Sequence, residues 1–147
     1  MTIMTGGCAC GAVRYSAEIA SPDAYLCHCR MCQKATGSVS IAFTNAKQAD
    51  VTWDSGPDWY ASSPIAKRPF CAKCGTSLRF QFLEGSGNMD LTVASFDDAG
   101  HFQPAKPHFG AESLHEQWLD TSGLEQMRTD EYPALMEKWE KAGVQPG

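Results

Sequence analysis

Short runs in which apolar and polar residues alternate recur along the chain, the period of strands with one buried face. Gly6 to Ala17 reads as a hairpin that turns at Gly11, with Ala12-Val-Arg-Tyr-Ser-Ala17 as its second strand. After a turn at Ser21-Pro22-Asp23, Ala24 to Cys27 makes another short strand. Ser38 to Thr44 sets Val39, Ile41 and Phe43 on one face. Ser77 to Phe82 does the same with Leu78, Phe80 and Phe82, and Met89 to Ala94 with Met89, Leu91 and Val93. Asp50 to Asp54, Trp59 to Ala61 and Ile65 to Phe70 are further strands, parted by Pro57 and Pro64.

Two segments depart from that period. Arg30 to Ala35 has room for one helical turn, stopped by Gly37. Tyr132 to Ala142 carries Leu135, Met136 and Trp139 at three- and four-residue spacing, with Pro133 in its first turn and Gly143 behind it. That is a short amphipathic helix. Asp97 to Ser122 is mixed and broken by Pro104 and Pro107. Many short strands and one late helix predict a mainly β fold of packed sheets with a short C-terminal helix. There is no internal repeat, low-complexity stretch or linker, so residues 1–147 are expected to form a single domain.

Composition narrows the partners. Hydrophobic residues make up 43% and charged residues 20%, ordinary for a globular protein. The net charge of -5 and the scattered Lys and Arg argue against nucleic acid. The nearest approach to a basic patch, Lys67-Arg68, reads as a solvated strand end. No apolar run reaches the roughly 20 residues of a spanning helix, and the N-terminus lacks a signal-peptide pattern. Seven cysteines without an export signal fit reduced thiols in the cytoplasm, held as metal ligands.

The thiols fall into three groups: Cys8 and Cys10; Cys27, Cys29 and Cys32; Cys71 and Cys74. Seven divides as four plus three. Cys8-Ala-Cys10 on an extended segment would point both sulfurs to one face. Cys71-Ala-Lys-Cys74 followed by Gly75 is a knuckle turn. Those four make a closed Cys₄ zinc site, which contributes directly to folding. Cys27, Cys29 and Cys32 wrap a second ion from three sides. A ribbon pairing Cys29 and Cys32 with Cys71 and Cys74 is the rival grouping, although it strands Cys27. His28, His101, His108 or His115 is available as a fourth ligand to the triad, His28 least so, because it points away from its flanking cysteines.

Gly7-Cys-Ala-Cys-Gly-Ala-Val-Arg-Tyr15, Cys27-His-Cys-Arg-Met-Cys32 with Gly37 beyond it, and Phe70-Cys-Ala-Lys-Cys-Gly75 with Leu78 together resemble the glutathione-dependent formaldehyde-activating enzyme family, also called the CENP-V/GFA domain family. The resemblance runs from about Gly6 to Asp130-Glu-Tyr-Pro133, nearly the whole chain. It implies an Mss4-like fold, a structural zinc on Cys8, Cys10, Cys71 and Cys74, and a second, reactive zinc on Cys27, Cys29 and Cys32 that is open to partial occupancy. The implied activity is carbon–sulfur lyase chemistry joining glutathione and formaldehyde as S-hydroxymethylglutathione, or reversing that step. Gln33 and Lys34 stand where many relatives carry an arginine-containing stretch, a departure that bears on substrate rather than metal.

A mechanism follows from the missing ligand. A substrate thiol in the fourth position of the triad zinc would be held as thiolate and attack an aldehyde carbon beside it. His28 or His108 is a candidate to move the proton. Arg14, Arg30, Lys34 and Arg79 are candidates to meet substrate carboxylates. Trp53, Trp59 and Tyr60 either wall a pocket or pack the sheets. The expected partner is a small-molecule thiol or thiol adduct, with no membrane; the pattern says nothing of oligomeric state. The alternative is a zinc-stapled binding module without catalysis. A redox role for Cys71 and Cys74 lacks the βαβ setting such pairs occupy.

Overall fold

The structure, a computed structural model, describes residues 1–85, 87–105 and 107–143. The chain divides into two compact units, Met1–His115 and Glu116–Gly147.

The first unit carries the sheets. A three-stranded sheet has the order β1-β2-β5, from β1 (Thr2–Gly7), β2 (Arg14–Ile19) and β5 (Val51–Ser55). The seven-stranded sheet has the order β10-β3-β4-β9-β8-β7-β6. Its strands are β3 (Asp23–Cys27), β4 (Ile41–Lys47), β6 (Asp58–Ser63), β7 (Ala66–Phe70), β8 (Arg79–Phe82), β9 (Asn88–Thr92) and the two-residue β10 (Gln103–Pro104). All pairings are antiparallel except β10 with β3. Met4, Tyr15, Ala17 and Ile19 from the small sheet meet Ala46, Met89 and Leu91 from the large one in a single core. The mainly β expectation is what the chain adopts.

Register places the thiols. The pairing β1–β2 ends at Gly7 opposite Arg14, so Cys8 to Val13 must turn. Gly11 N–H bonds back to Cys8 O at 3.0 Å, and Gly11 has φ 75°. The cysteine pair therefore sits on a tight turn, not on the extended segment the sequence suggested. Between β7 and β8, Gly75 N–H reaches Cys71 O at 2.7 Å and Cys71 N–H reaches Thr76 O at 3.0 Å, which closes the expected knuckle. Between β3 and β4 the chain makes α1 (Arg30–Thr36), ended by Gly37 at φ 69° as expected.

Three details of the pattern differ. The first strand starts at Thr2, because Met4 already points into the core. Val39 precedes β4 and is exposed. In β8 the faces are reversed. Arg79 and Gln81 are buried, whereas Phe82 is 53% exposed.

In the second unit, 3₁₀ turns at Glu116–Trp118 and Thr129–Glu131 lead to α2 (Pro133–Ala142). Its Leu135, Met136 and Trp139 are half-buried, and Gly143 caps it at φ 69°. No helix among the described residues is long and apolar enough to cross a membrane.

Candidate metal centres

The turn after β1 and the knuckle after β7 bring Cys8, Cys10, Cys71 and Cys74 together, with all four sulfurs within 4.8 Å of one another. The separation is 3.5 Å for Cys8 to Cys10 and 3.8 Å for Cys10 to Cys71. A tetrahedron with metal–sulfur bonds of about 2.3 Å has edges of about 3.8 Å, so the donor set fits zinc. Val13 N–H donates to Cys8 Sγ at 3.2 Å, and Ala9 N–H donates to Thr76 Oγ1 at 3.1 Å, tying the turn to the knuckle. Cys74 Sγ lies 3.1 Å from the same hydroxyl. That contact, with the Thr76 backbone N–H, draws the Cys74 thiol down to about 5. Cys8 and Cys71 are buried against Val13, Leu78 and Trp53, while Cys10 and Cys74 face outward.

The second cluster is local. Cys27 ends β3, Cys29 caps α1 and Cys32 lies in its first turn. Their three sulfurs are within 4.8 Å of one another. Cys32 N–H points at Cys29 Sγ, 3.4 Å away, so the cap itself turns one ligand toward the others. Cys27 and Cys32 are buried and Cys29 is partly exposed. Phe43 and the partly buried Tyr25, Ile41 and Phe80 pack around them. The thiols share their protons unequally. The hydrogen bond from Cys27, with Arg68 assisting against burial, draws Cys32 down to about 5, and the same pairing plus burial pushes Cys27 up.

No histidine joins either cluster among the described residues. His28 is fully buried, neither of its ring nitrogens has a hydrogen-bond partner, and burial ahead of the neighbouring His108 lowers its pKa. Its ring meets the exposed His108 edge-on at 5.0 Å. His28 thus turns away from the thiols, as its place between Cys27 and Cys29 predicted.

The segment around Phe109 pairs alongside the chain that carries the triad. His28 N–H bonds to Phe109 O at 2.8 Å, and Phe109 N–H to Leu26 O at 2.9 Å. Gly110 then lies so close to Cys29 that a Cβ there would stand 2.4 Å from its nitrogen and 2.7 Å from its Cα. Gly110 was not legible as a site residue; the only signal is its place after Pro107-His-Phe.

Several cationic candidates are already engaged. Arg14 binds Asp97 with both terminal nitrogens, at 2.8 and 2.5 Å. Arg79 is enclosed between Trp53 and Trp59, its guanidinium 4.9 and 4.3 Å from the rings, and burial lowers it only to about 10. These tryptophans therefore clasp a cation. Lys67 also lies over Trp59, at 4.5 Å. Arg30 and Lys34 remain on the exposed side of α1, with Arg30 Nη1 donating to Gln33 Oε1 at 2.6 Å. Gln33 is buried, and its amide donates to the carbonyls of Val39 and Ser113, at 3.0 and 3.1 Å, which fixes α1 in place.

The reading of Lys67-Arg68 as a solvated strand end is corrected by burial. Arg68 is 1% exposed, and its Nη2 lies 3.2 Å from Cys32 Sγ. Charge patterning counts the residue as surface because it cannot see that β7 turns alternate side chains toward a thiol cluster.

The class so defined is a mainly β protein with two thiol clusters able to hold metal ions. Residues 3–112 match the sequence profile of the family described as glutathione-dependent formaldehyde-activating enzyme, and the chain belongs to that family. A Schizosaccharomyces pombe protein named as an uncharacterized lyase is 36% identical over 80 residues, 54% of this chain. That match spans 58% of the relative's length. A crystal structure of a Rhodobacter sphaeroides protein, 24% identical, superposes with a TM-score of 0.57 over 71% of this chain and 99% of that one, a likeness of fold.

Proposed function

We propose that the chain is a zinc-dependent carbon–sulfur lyase acting on an adduct of glutathione, or another thiol, with formaldehyde or a related aldehyde. Cys8, Cys10, Cys71 and Cys74 would hold a structural zinc, and Cys27, Cys29 and Cys32 the reactive one. The observation that carries this reading is the gathering of three sulfurs, one of them partly exposed, with no fourth protein ligand among the described residues. Family membership and the lyase name of the fission-yeast relative support it.

When bound in the triad, zinc would supply a position where a substrate thiol stays deprotonated at neutral pH. The chain's own groups do the rest. Cys29 at the helix cap and Gly110 against it fix the open side of the site. Phe80, Ile41, Tyr25 and Phe43 keep water from Cys27 and Cys32. Arg30 and Lys34, exposed on α1 and free of carboxylate partners among the described residues, would meet a substrate carboxylate. In the forward direction the thiolate sulfur bonds to the aldehyde carbon, the carbonyl electron pair moves to oxygen, and the proton lost by the thiol ends on that oxygen. Holding the two reactants together supplies the rate.

Metal content per chain, measured on the native protein and on Cys29→Ala, tests the division of labour. Two zincs falling to one with unchanged circular dichroism supports it; loss of both metals and of the fold refutes it. Turnover of glutathione with formaldehyde, measured against the uncatalysed reaction, tests the substrate. No rate above background, with both metals bound, removes glutathione and formaldehyde as the substrates; the same result across other thiols and aldehydes leaves a metal-stapled binding module.

A further inference from the structure

Arg68 is a buried cation with nothing ordinary to justify its burial. It projects from β7 between β6 and β8 and is 1% exposed. No carboxylate among the described residues pairs with it, and its Nε and Nη1 have no hydrogen-bond partner. An unpaired buried guanidinium is strongly destabilising. The compensating groups it meets are the Phe80 ring, 4.9 Å away, and Cys32 Sγ, 3.2 Å from Nη2. The ring face offers a modest attraction. The sulfur offers a full counter-charge whenever Cys32 is a thiolate, as it must be to bind metal.

We propose that Arg68 is the positioning residue of the triad, a fixed counter-cation that makes a three-thiolate, divalent-metal site electrically neutral. Three thiolates and a divalent ion sum to one negative charge; the guanidinium cancels it. Entry of a fourth, substrate thiolate then leaves the buried site with one negative charge instead of two. The hydrogen bond to Cys32 also draws electron density from that sulfur, so the metal keeps more affinity for an incoming anionic ligand. The selectivity that results is for a thiolate over a neutral ligand. Arg fits this task better than Lys because its planar fork holds one N–H on the sulfur while the rest of the guanidinium stays against the ring.

This rests on the reading of the triad as a metal site, and the experiment separates the two. Purified chain is loaded with cobalt(II), and the sulfur-to-cobalt absorption and the affinity of the weaker ion are followed by chelator competition. Cys29→Ala identifies the absorption that belongs to the triad. In Arg68→Met the weaker ion is expected to bind about tenfold less tightly or worse, a loss typical of outer-shell partners. Its band shifts, while the four-thiol site is unchanged. Arg68→Lys restores most of the affinity through its charge but leaves the band shifted, because the forked donor is gone. Equal affinity and an unshifted band in Arg68→Met would overturn the role of Arg68. If Arg68→Met does not fold, an unshifted band in Arg68→Lys overturns it. One ion per native chain would instead overturn the triad as a metal site, and this proposal with it.

Discussion

The contact between Gly110 and Cys29 offers the sharpest test of how the triad is built. Replacing Gly110 with alanine acts twice. The residue has φ 71°, a conformation that costs a side-chain-bearing residue about 1–2 kcal/mol. The new Cβ would also meet the nitrogen, Cα and Cβ of Cys29 at 2.4, 2.7 and 2.9 Å, and two of those are backbone atoms that cannot swing aside. Overpacking of this kind costs about 1–3 kcal/mol more. The expected loss is therefore about 2–5 kcal/mol. Two glycines separate the contributions. Gly37 has φ 69° but open space around it, so Gly37→Ala should show the backbone part alone. Gly56 has open space and no positive φ, so Gly56→Ala should be neutral or stabilising by about 0.4–1 kcal/mol. Urea unfolding of the three variants at matched metal content measures the series. Gly110→Ala should also weaken metal retention by the triad, since relief of the clash must move Cys29 or break the bond from His28 N–H to Phe109 O. A Gly110→Ala loss no greater than that of Gly37→Ala would refute the reasoning.

Cys71→Ala should remove one metal and the near-ultraviolet circular dichroism together, because the four-thiol site fastens the first turn to the knuckle; retained tertiary signal would show that the protein scaffold stands alone. Asp97 is drawn down to about 2 by Arg14 and then Thr5. A depressed carboxylate pKa contributes stability above its unfolded value near 4, lost as pH falls through about 2. Both partners are well exposed, so Asp97→Asn should lose less than about 1 kcal/mol at pH 7 and distinctly less at pH 2, where the native carboxyl is about half protonated, measured by urea unfolding; an equal loss at both pH values counts against the ion pair. Tyr15→Phe removes the 2.7 Å contact with Ser95 Oγ, but Ser95 keeps its bond to Thr92 O. The loss should be about 1 kcal/mol, and a drop of several would mean the ring itself had moved.

What the chain's pattern revealed, and what it hid, follows from the range of each signal. Cysteine spacing is local chemistry, so the three thiol groups and the knuckle at Cys71 to Gly75 were readable, and their number suggested how the outer two combine. The α1 stop at Gly37 and the helix around Leu135 and Trp139 follow from local rules as well. The turn at Cys8 to Gly11 is a local misreading, whereas the misjudged faces share another cause, which is that burial is set by partners distant in sequence. Alternation in Ser77 to Phe82 is real, but the face toward solvent is decided by neighbouring strands. Arg79 is buried because Trp53 and Trp59 enclose it. Arg68 is buried against Cys32, thirty-six residues earlier, and the ring of Phe80. Gly110 matters only because residues 107–110 return beside β3, which no spacing rule predicts.

The four-thiol cluster joins Cys10 to Cys71 across sixty-one residues, a closure of about 4 kcal/mol in chain entropy. That distance sets a timetable for synthesis. A chain made from its N-terminus presents five thiols, from Cys8 to Cys32, before the knuckle that completes the first site exists. Cys8 and Cys10 thus precede both of their native partners by about sixty residues, while the triad of Cys27, Cys29 and Cys32 is complete within a single short stretch. A metal ion taken up early by those five thiols would have to exchange before Cys71 and Cys74 could join Cys8 and Cys10.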